Sequence, residues 1–293
     1  MSATESRRFV VSCGAKSMLL RWSINMSNIK RPDLGENMTG LITLYRKAED
    51  YFFRGISSKY LNLGDGANAY MTGVPVADLN LVYVTENTNA LDKILLAGKR
   101  FYDQDNLSFV VIIPQEFCTP AIESALNTME YSQTGKSVSM AVKLDELFTD
   151  NAAGFEAETI IKPNDDQLND WMIPLIGAFE STFDISSMYA ATHESALKKN
   201  INLRHFSLYK QEKPIASITL SLHDAIARID DVGTLPEFQG KGYASALMTY
   251  ALSEAKNLGA SHAFLEASDS GLGVYQKLGF EPLFKNNIYS RQA

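Results

Sequence analysis

The sequence predicts an α/β protein on a mixed sheet, arranged as two tandem halves, and three observations carry that expectation. Apolar runs of strand length alternate with amphipathic segments of helical period. The order strand, helix, strand, helix, strand occurs twice: at 80–85, 90–101, 107–113, 120–131 and 138–144, then at 225–234, 243–258, 262–268, 271–278 and 281–290. Finally, the stretch from Val232 to Ala244 reads as a strand end, a glycine loop and the first turn of a helix.

Taken in order, residues 1–35 are largely aperiodic and read as an N-terminal arm. A helix follows over Thr39–Phe53. Lys59–Asn62 and Ala69–Met71 flank Gly64-Asp65-Gly66, a hairpin turn, because Asp-Gly supports positive φ. Strand Asn80–Thr85 leads to a helix capped by Asn87, Thr88 or Asn89. The apolar run Leu107–Ile113 is a buried strand ended by Pro114. Pro120 and Glu123 prime the next helix, and Val138–Leu144 alternates as a strand. Asp150 to Gly154 reads as the linker.

The second half opens with strand Ala157–Lys162, an Asn164 cap and a helix to Phe179, whose pattern is interrupted by Pro174. A helix over Ser187–Lys199 and a hairpin of Arg204–Tyr209 with Ile215–Leu222 precede strand Ala225–Thr234. Pro236 ends that strand, since it has no N–H to give. From Ala244 the residues Leu247, Met248, Ala251, Leu252, Ala255 and Leu258 line one helical face, closed by Gly259. A glycine loop feeding a helix N-terminus gathers unpaired N–H groups at the positive end of the dipole, which suits phosphate. The loop fits neither G-x-x-x-x-G-K-[ST] nor G-x-G-x-x-G.

Gln239-Gly240-Lys241-Gly242-Tyr243-Ala244 resembles the Q/R-x-x-G-x-G/A signature of the GNAT superfamily of acyl-CoA-dependent N-acyltransferases, with one glycine shifted. Gly273-Val274-Tyr275-Gln276-Lys277-Leu278-Gly279-Phe280 is similar to that family's L-Y-x-K-L-G-F segment. The resemblance spans residues 155–293 and implies a GNAT-like fold there. Where the second half has its glycine loop, the first has Glu86-Asn87-Thr88-Asn89-Ala90, so residues 36–150 read as a degenerate GNAT-like half without a cofactor loop.

The resemblance implies transfer of an acetyl group from acetyl-CoA, as co-substrate, to a primary amine in a small molecule or peptide, within a ternary complex. It assigns the pyrophosphate to the backbone of Gln239, Gly240, Lys241, Gly242, Tyr243 and Ala244, and pantetheine and the acetyl carbonyl to Val232 and Thr234. Tyr275 occupies the position of the family's acid for the departing thiolate; a phenol remains protonated at neutral pH. Where many members carry an asparagine, this chain has Ser268-Asp269-Ser270-Gly271.

The candidates for a general base are Asp230 and Asp231. Alternation places them on opposite faces, with Asp230 beside Arg228 and Val232, and Asp230 is selected. Among the histidines, His193 lies on the helix that walls the acceptor groove in the family. The alternative is a CoA-binding regulatory or interaction protein without turnover.

Composition is that of an ordinary globular chain, with 45% hydrophobic and 21% charged residues. The net charge of −7, concentrated in the second half, argues against a nucleic-acid partner and is compatible with a cationic acceptor. Cys13 and Cys118 form no C-x-x-C, and no metal-ligand spacing occurs, so no metal is expected. No apolar run reaches the length of a membrane helix. Arg7-Arg8 before Phe9-Val10-Val11 suggests a signal peptide, but Lys16 interrupts the run and no cleavage site follows; the reading is cytoplasmic.

Overall fold

A computed structural model describes residues 38–146, 159–268 and 271–291, whose strands form one mixed sheet in the order β1-β2-β3-β4-β11-β5-β10-β9-β8-β7-β6. The first half supplies α1 (Met38–Ile56), β1 (Lys59–Gly64), β2 (Ala67–Met71), β3 (Asn80–Val84), α2 (Leu91–Asp103), β4 (Val110–Pro114), α3 (Pro120–Thr128) and β5 (Tyr131–Lys143). The second supplies β6 (Thr159–Pro163), α4 (Asn169–Ala178), α5 (Phe183–Lys198), β7 (Leu203–Lys210), β8 (Lys213–His223), β9 (Ile226–Thr234), α6 (Tyr243–Asn257), β10 (His262–Ala267), α7 (Leu272–Lys277) and β11 (Glu281–Arg291). The expected arm at 1–35 and the linker at 150–154 lie outside the described residues.

Period-two alternation divides the strand side chains between two helical layers. On β3 and β4, Leu81, Tyr83, Val110 and Ile112 join the core under α1, α4 and α5, whereas Val82, Val84, Val111 and Ile113 join the core under α2 and α3. In the second half α6 buries Leu247, Met248, Ala251, Leu252 and Ala255 against Ile218, Leu220, Ile229 and Leu265. Leu258, assigned to that face by spacing, is the C-cap residue and is exposed, because the helix has already ended there.

The halves share their last strands. β11 lies between β4 and β5, antiparallel to both, and β5 lies between β11 and β10. Each half therefore lends its final strand to complete the other, which is why β5 runs for 13 residues rather than the shorter segment expected from 138. A polar clasp spans this seam. The Asn286 amide nitrogen lies 2.9 Å from Glu266 Oε1, 3.1 Å from Ser139 Oγ and 3.2 Å from the Tyr83 hydroxyl, joining β11, β10, β5 and β3.

Other boundaries move for local reasons. The predicted helix to Tyr131 stops at Thr128, since Glu130 takes a positive φ of 64° and turns the chain into β5. The helix α2 begins at Leu91; Thr88 Oγ1 accepts the N–H of Ala90, the N-cap residue, and no side chain caps the first turn. Asn164 does not cap α4: its amide donates to the Tyr209 hydroxyl at 2.9 Å, and the helix starts at Asn169 and continues through Pro174. The helix α5 starts at Phe183, with Thr182 Oγ1 accepting the Ile185 N–H.

Because β11 fills the gap between β4 and β5, removing residues 281–291 should unfold both halves together. Circular dichroism and limited proteolysis of that truncated chain should show no protected fragment. A protease-resistant first half would show that β5 and β4 hold without the exchanged strand.

Candidate functional site

The site is built on an interruption in β9. Asp230 pairs with Thr219 and Gly233 with Ser217, so two residues, Asp231 and Val232, stand opposite the single residue Ile218. This is a β-bulge, and Asp231 absorbs it with a φ of 53°. Before the bulge Arg228 and Asp230 face α1 and α5, and Ala227 and Ile229 face α6. After it Val232 joins the α6 core, while Asp231 meets Tyr189 of α5. The expectation that Asp230 shares a face with Val232 and opposes Asp231 is thus overturned: the extra residue resets the alternation.

Downstream of the bulge β9 also parts from β10. Their parallel pairing runs only over Ile226–Arg228 with His262–Phe264, and Leu265–Ala267 continue against β5 alone. The gap opens into a cleft of about 430 Å³ lined by Val232 and Thr234 of β9, Gly240 and Gly242 of the loop, Ala244 of α6 and Val274 of α7. Gln239 and Tyr243 also line it. Gly240 and Gly242 have φ of 73° and 85°, and no heavy atom lies within 4 Å of a Cβ built on either. Both glycines thus meet a conformational demand and leave the backbone open to the cleft. Gly242 is the N-cap of α6, and no side chain caps that helix, so its first-turn N–H groups are available to an anion. Gln239 donates to the Thr234 carbonyl at 3.0 Å, tying the loop to the strand end. Lys241 is not a lining residue: its ammonium donates to the Glu237 carbonyl at 2.9 Å.

Asp230 is committed elsewhere. Arg228 Nε lies 3.1 Å and 3.0 Å from its two oxygens, and both side chains are buried. The Arg228 guanidinium packs 5.2 Å from the Phe53 ring and 5.5 Å from the Tyr45 ring, both on α1. Glu49 of α1 stands 4.0 Å from Arg228 Nη1. A helix of the first half thereby roofs β9 of the second.

Asp231 is placed differently. Its Oδ1 accepts from the Tyr189 hydroxyl at 2.9 Å, and its Oδ2 has no hydrogen-bond partner among the described residues. Burial, and then the neighbouring charge of Asp230, push its carboxyl up to about 7. Its free oxygen lies 3.7 Å from His193 Nε2, also unpartnered. His193 Nδ1 is 2.9 Å from His205 Nε2, and His205 Nδ1 is 2.9 Å from Asp165 Oδ1, which also accepts the His205 backbone N–H at 2.7 Å. Both imidazoles are fully buried, and burial holds both below the ordinary histidine value. Asp165, in the turn after β6, is part-exposed.

Tyr275 is buried on α7, with its ring edge-to-face on Phe280 at 6.1 Å; the cleft wall beside it is formed by Gly271, Val274 and Lys277. The sequence named Val232, Thr234, Gln239, Gly240, Gly242, Tyr243 and Ala244, and the fold brings these together around one cleft. No spacing in the sequence links Tyr189 on α5, His205 on β7 and Asp165 in the turn after β6. Among the described residues no group of three or more His, Cys, Asp and Glu side chains is arranged to hold a metal, and no helix is long and apolar enough to cross a membrane.

In the first half the corresponding strands β3 and β4 pair across Leu81–Tyr83 and Val110–Ile112, and the loop that follows is tied down. The Thr85 N–H donates to the Gly66 carbonyl at 2.7 Å, and the Glu86 side chain packs against Gly66.

Residues 169–280 match the acetyltransferase (GNAT) family profile. No curated protein matches the chain in sequence. Among solved structures, a GCN5-related N-acetyltransferase from Kribbella flavida superposes with a TM-score of 0.59 at 15% identity, covering 85% of this chain and 95% of its own. A conserved protein of unknown function from Staphylococcus epidermidis gives 0.61 at 15% identity, covering 80% and 94%. A tandem GNAT protein from the clavulanic acid biosynthesis pathway gives 0.55 at 11% identity, covering 76% and 77%. At these identities the likeness is one of fold, and it extends over both halves. Residues 169–280 thus match the acetyltransferase (GNAT) family, and most of the chain shares the fold of GNAT structures, a tandem GNAT protein among them.

Proposed function

We propose that the protein is an N-acyltransferase that moves the acetyl group of acetyl-CoA directly to a primary amine held in the same complex. The observation that carries this reading is the cleft where β9 leaves β10, floored by two open glycines and the uncapped N-terminus of α6. Backbone N–H groups at that end suit a pyrophosphate, with Gln239, Gly240, Gly242, Tyr243 and Ala244 around it. Val232 and Thr234 lie where the unpaired edge of β9 offers main-chain groups to pantetheine. Thr234 Oγ1 is buried with no partner among the described residues, a polar atom suited to a ligand. Bound acetyl-CoA supplies the activated thioester; the chain orients it and handles the protons.

In this reading Asp231, rather than Asp230, takes the proton from the acceptor ammonium. Asp230 already neutralises Arg228, whereas Asp231 has an unpartnered oxygen and a carboxyl tuned near neutrality, where a general base is most effective. Its negative charge also favours a cationic acceptor. Tyr275, on the helix flanking the cleft, is the proposed acid for the departing thiolate.

Four substitutions test these assignments. Gly242→Asp should strain a backbone at φ 85° and bring a carboxylate to the anion-binding end of α6. CoA affinity by calorimetry should fall at least ~10-fold, about 1.4 kcal/mol; unchanged affinity in a folded variant would reject the loop assignment. For the base, kcat should rise with pH through about 7 as Asp231 loses its proton. Asp231→Asn should lower kcat by roughly 10²-fold or more and abolish that limb. If Asp230→Asn does this and Asp231→Asn does not, the two roles are reversed. Tyr275→Phe keeps the ring, so CoA binding should persist while turnover drops by roughly 10²-fold; wild-type turnover would make Tyr275 a packing residue.

A further inference from the structure

Asp165 and His205 form no part of the cleft wall, yet a chain of hydrogen bonds runs through them to His193, which faces Asp231. Asp165 Oδ1 accepts the His205 backbone N–H at 2.7 Å and so acts as an acceptor; the ring nitrogen 2.9 Å from that oxygen, His205 Nδ1, must then carry a proton. A neutral imidazole has one N–H, which leaves His205 Nε2 as an acceptor. Its neighbour at 2.9 Å, His193 Nδ1, is therefore the donor. His193 Nε2 is left as a bare lone pair facing Asp231 Oδ2 at 3.7 Å. Two acceptors that face each other cannot hydrogen-bond, and both atoms lack any partner among the described residues. One proton placed between them converts the repulsive pair into a hydrogen bond.

We propose that Asp231 and His193 form a one-proton acceptor, and that part-exposed Asp165 and buried His205 are positioning residues that set it by locking His193 in the Nδ1–H tautomer. The inference rests on the reading of Asp231 as the base. The proton leaves the acceptor ammonium for Asp231 Oδ2, the O–H formed there donates to His193 Nε2, and the amine nitrogen keeps its electron pair for attack. No further group gains or loses a proton. Asp230 and Arg228 of β9, the Tyr189 hydroxyl on α5, His205 of β7 and, through Arg228, Glu49 of α1 are the charged or titratable groups around the pair. Burial and Asp230 disfavour charge on Asp231, whereas the Thr219 and Tyr189 hydroxyls and Arg228 favour it.

The lock needs an acceptor oxygen at residue 165, not a charge. Asp165→Asn should preserve it and Asp165→Ala should release it. With His205 free to turn over, His193 can present Nε2–H to the Asp231 carboxylate and stabilise the ionised form. The four histidines of the chain make this readable by 15N NMR on histidine-labelled protein, with neither CoA nor amine present. Wild type and Asp165→Asn should show His193 and His205 as Nδ1–H tautomers. The His193 Nε2 shift should move through an inflection near neutrality, and Asp231→Asn should lose that inflection. In Asp165→Ala the inflection should fall by about one pH unit or more, and the acidic limb of kcat should move with it while KM for acetyl-CoA holds. A His193 Nε2–H tautomer in wild type, or an inflection unmoved in Asp165→Ala, would overturn the proposal. Absence of turnover with acetyl-CoA across an amine panel would instead count against the acyltransfer reading, since the NMR result does not depend on it.

Discussion

One extra residue in β9 governs the second half. The bulge at Asp231 and Val232 ends the parallel pairing with β10 soon after Arg228, and that parting is the cleft. The same insertion sends Val232 and Thr234 toward the cleft and Asp231 toward α5. A regular strand would bury Asp231 against the apolar face of α6, where no donor waits for it. The left-handed backbone of Asp231 is uncommon for a residue with a side chain, although Asp tolerates it better than most. Neighbouring packing holds it there: Gly233 lets α4 approach so closely that a Cβ would stand 2.7 Å from Leu175.

The first half completes this arrangement. The helix α1 brings Tyr45, Glu49, Phe52 and Phe53 over Arg228, and so supports the ion pair that fixes Asp230. Removing either partner would strand a buried charge, which costs more than the pair itself contributes. With Asp230 neutralised, Asp231 is the carboxylate beside it whose proton affinity remains adjustable. The exchanged strands β5 and β11 pair each half with the other, and the buried Asn286–Glu266 clasp sits on that seam. The tied-down loop of the first half, with Glu86 against Gly66, is consistent with a supporting role for that half.

Much of this was legible in the residues. The strand–loop–helix unit, both motif segments, the hairpins at Gly64-Asp65-Gly66 and after Lys210, and the repeated order of elements all rest on short-range chemistry: turn residues, proline stops and periodicity. The cleft residues followed because they are nearly contiguous, from Val232 to Ala244, so one loop carries most of the wall. The faces that Asp230, Asp231 and Val232 take were not legible in that way. Alternation assumes a regular strand, and nothing in Ile229 to Gly233 marks where the extra residue sits. The strand exchange was hidden for a similar reason, since β5 and β11 have identical local character whichever neighbours they join.

The sequence by itself determined what each segment is: strands and helices in a mixed α/β order, a glycine loop before α6, and two halves of which only the second keeps that loop. Those properties are set within about a dozen residues by backbone sterics and side-chain period. Tertiary structure decided which residues act together. Asp165, His205, His193 and Asp231 are spread over 67 positions and meet only because β7, α5 and β9 pack at one end of the sheet. Their tautomers and proton affinity come from burial and from neighbours that no local pattern encodes.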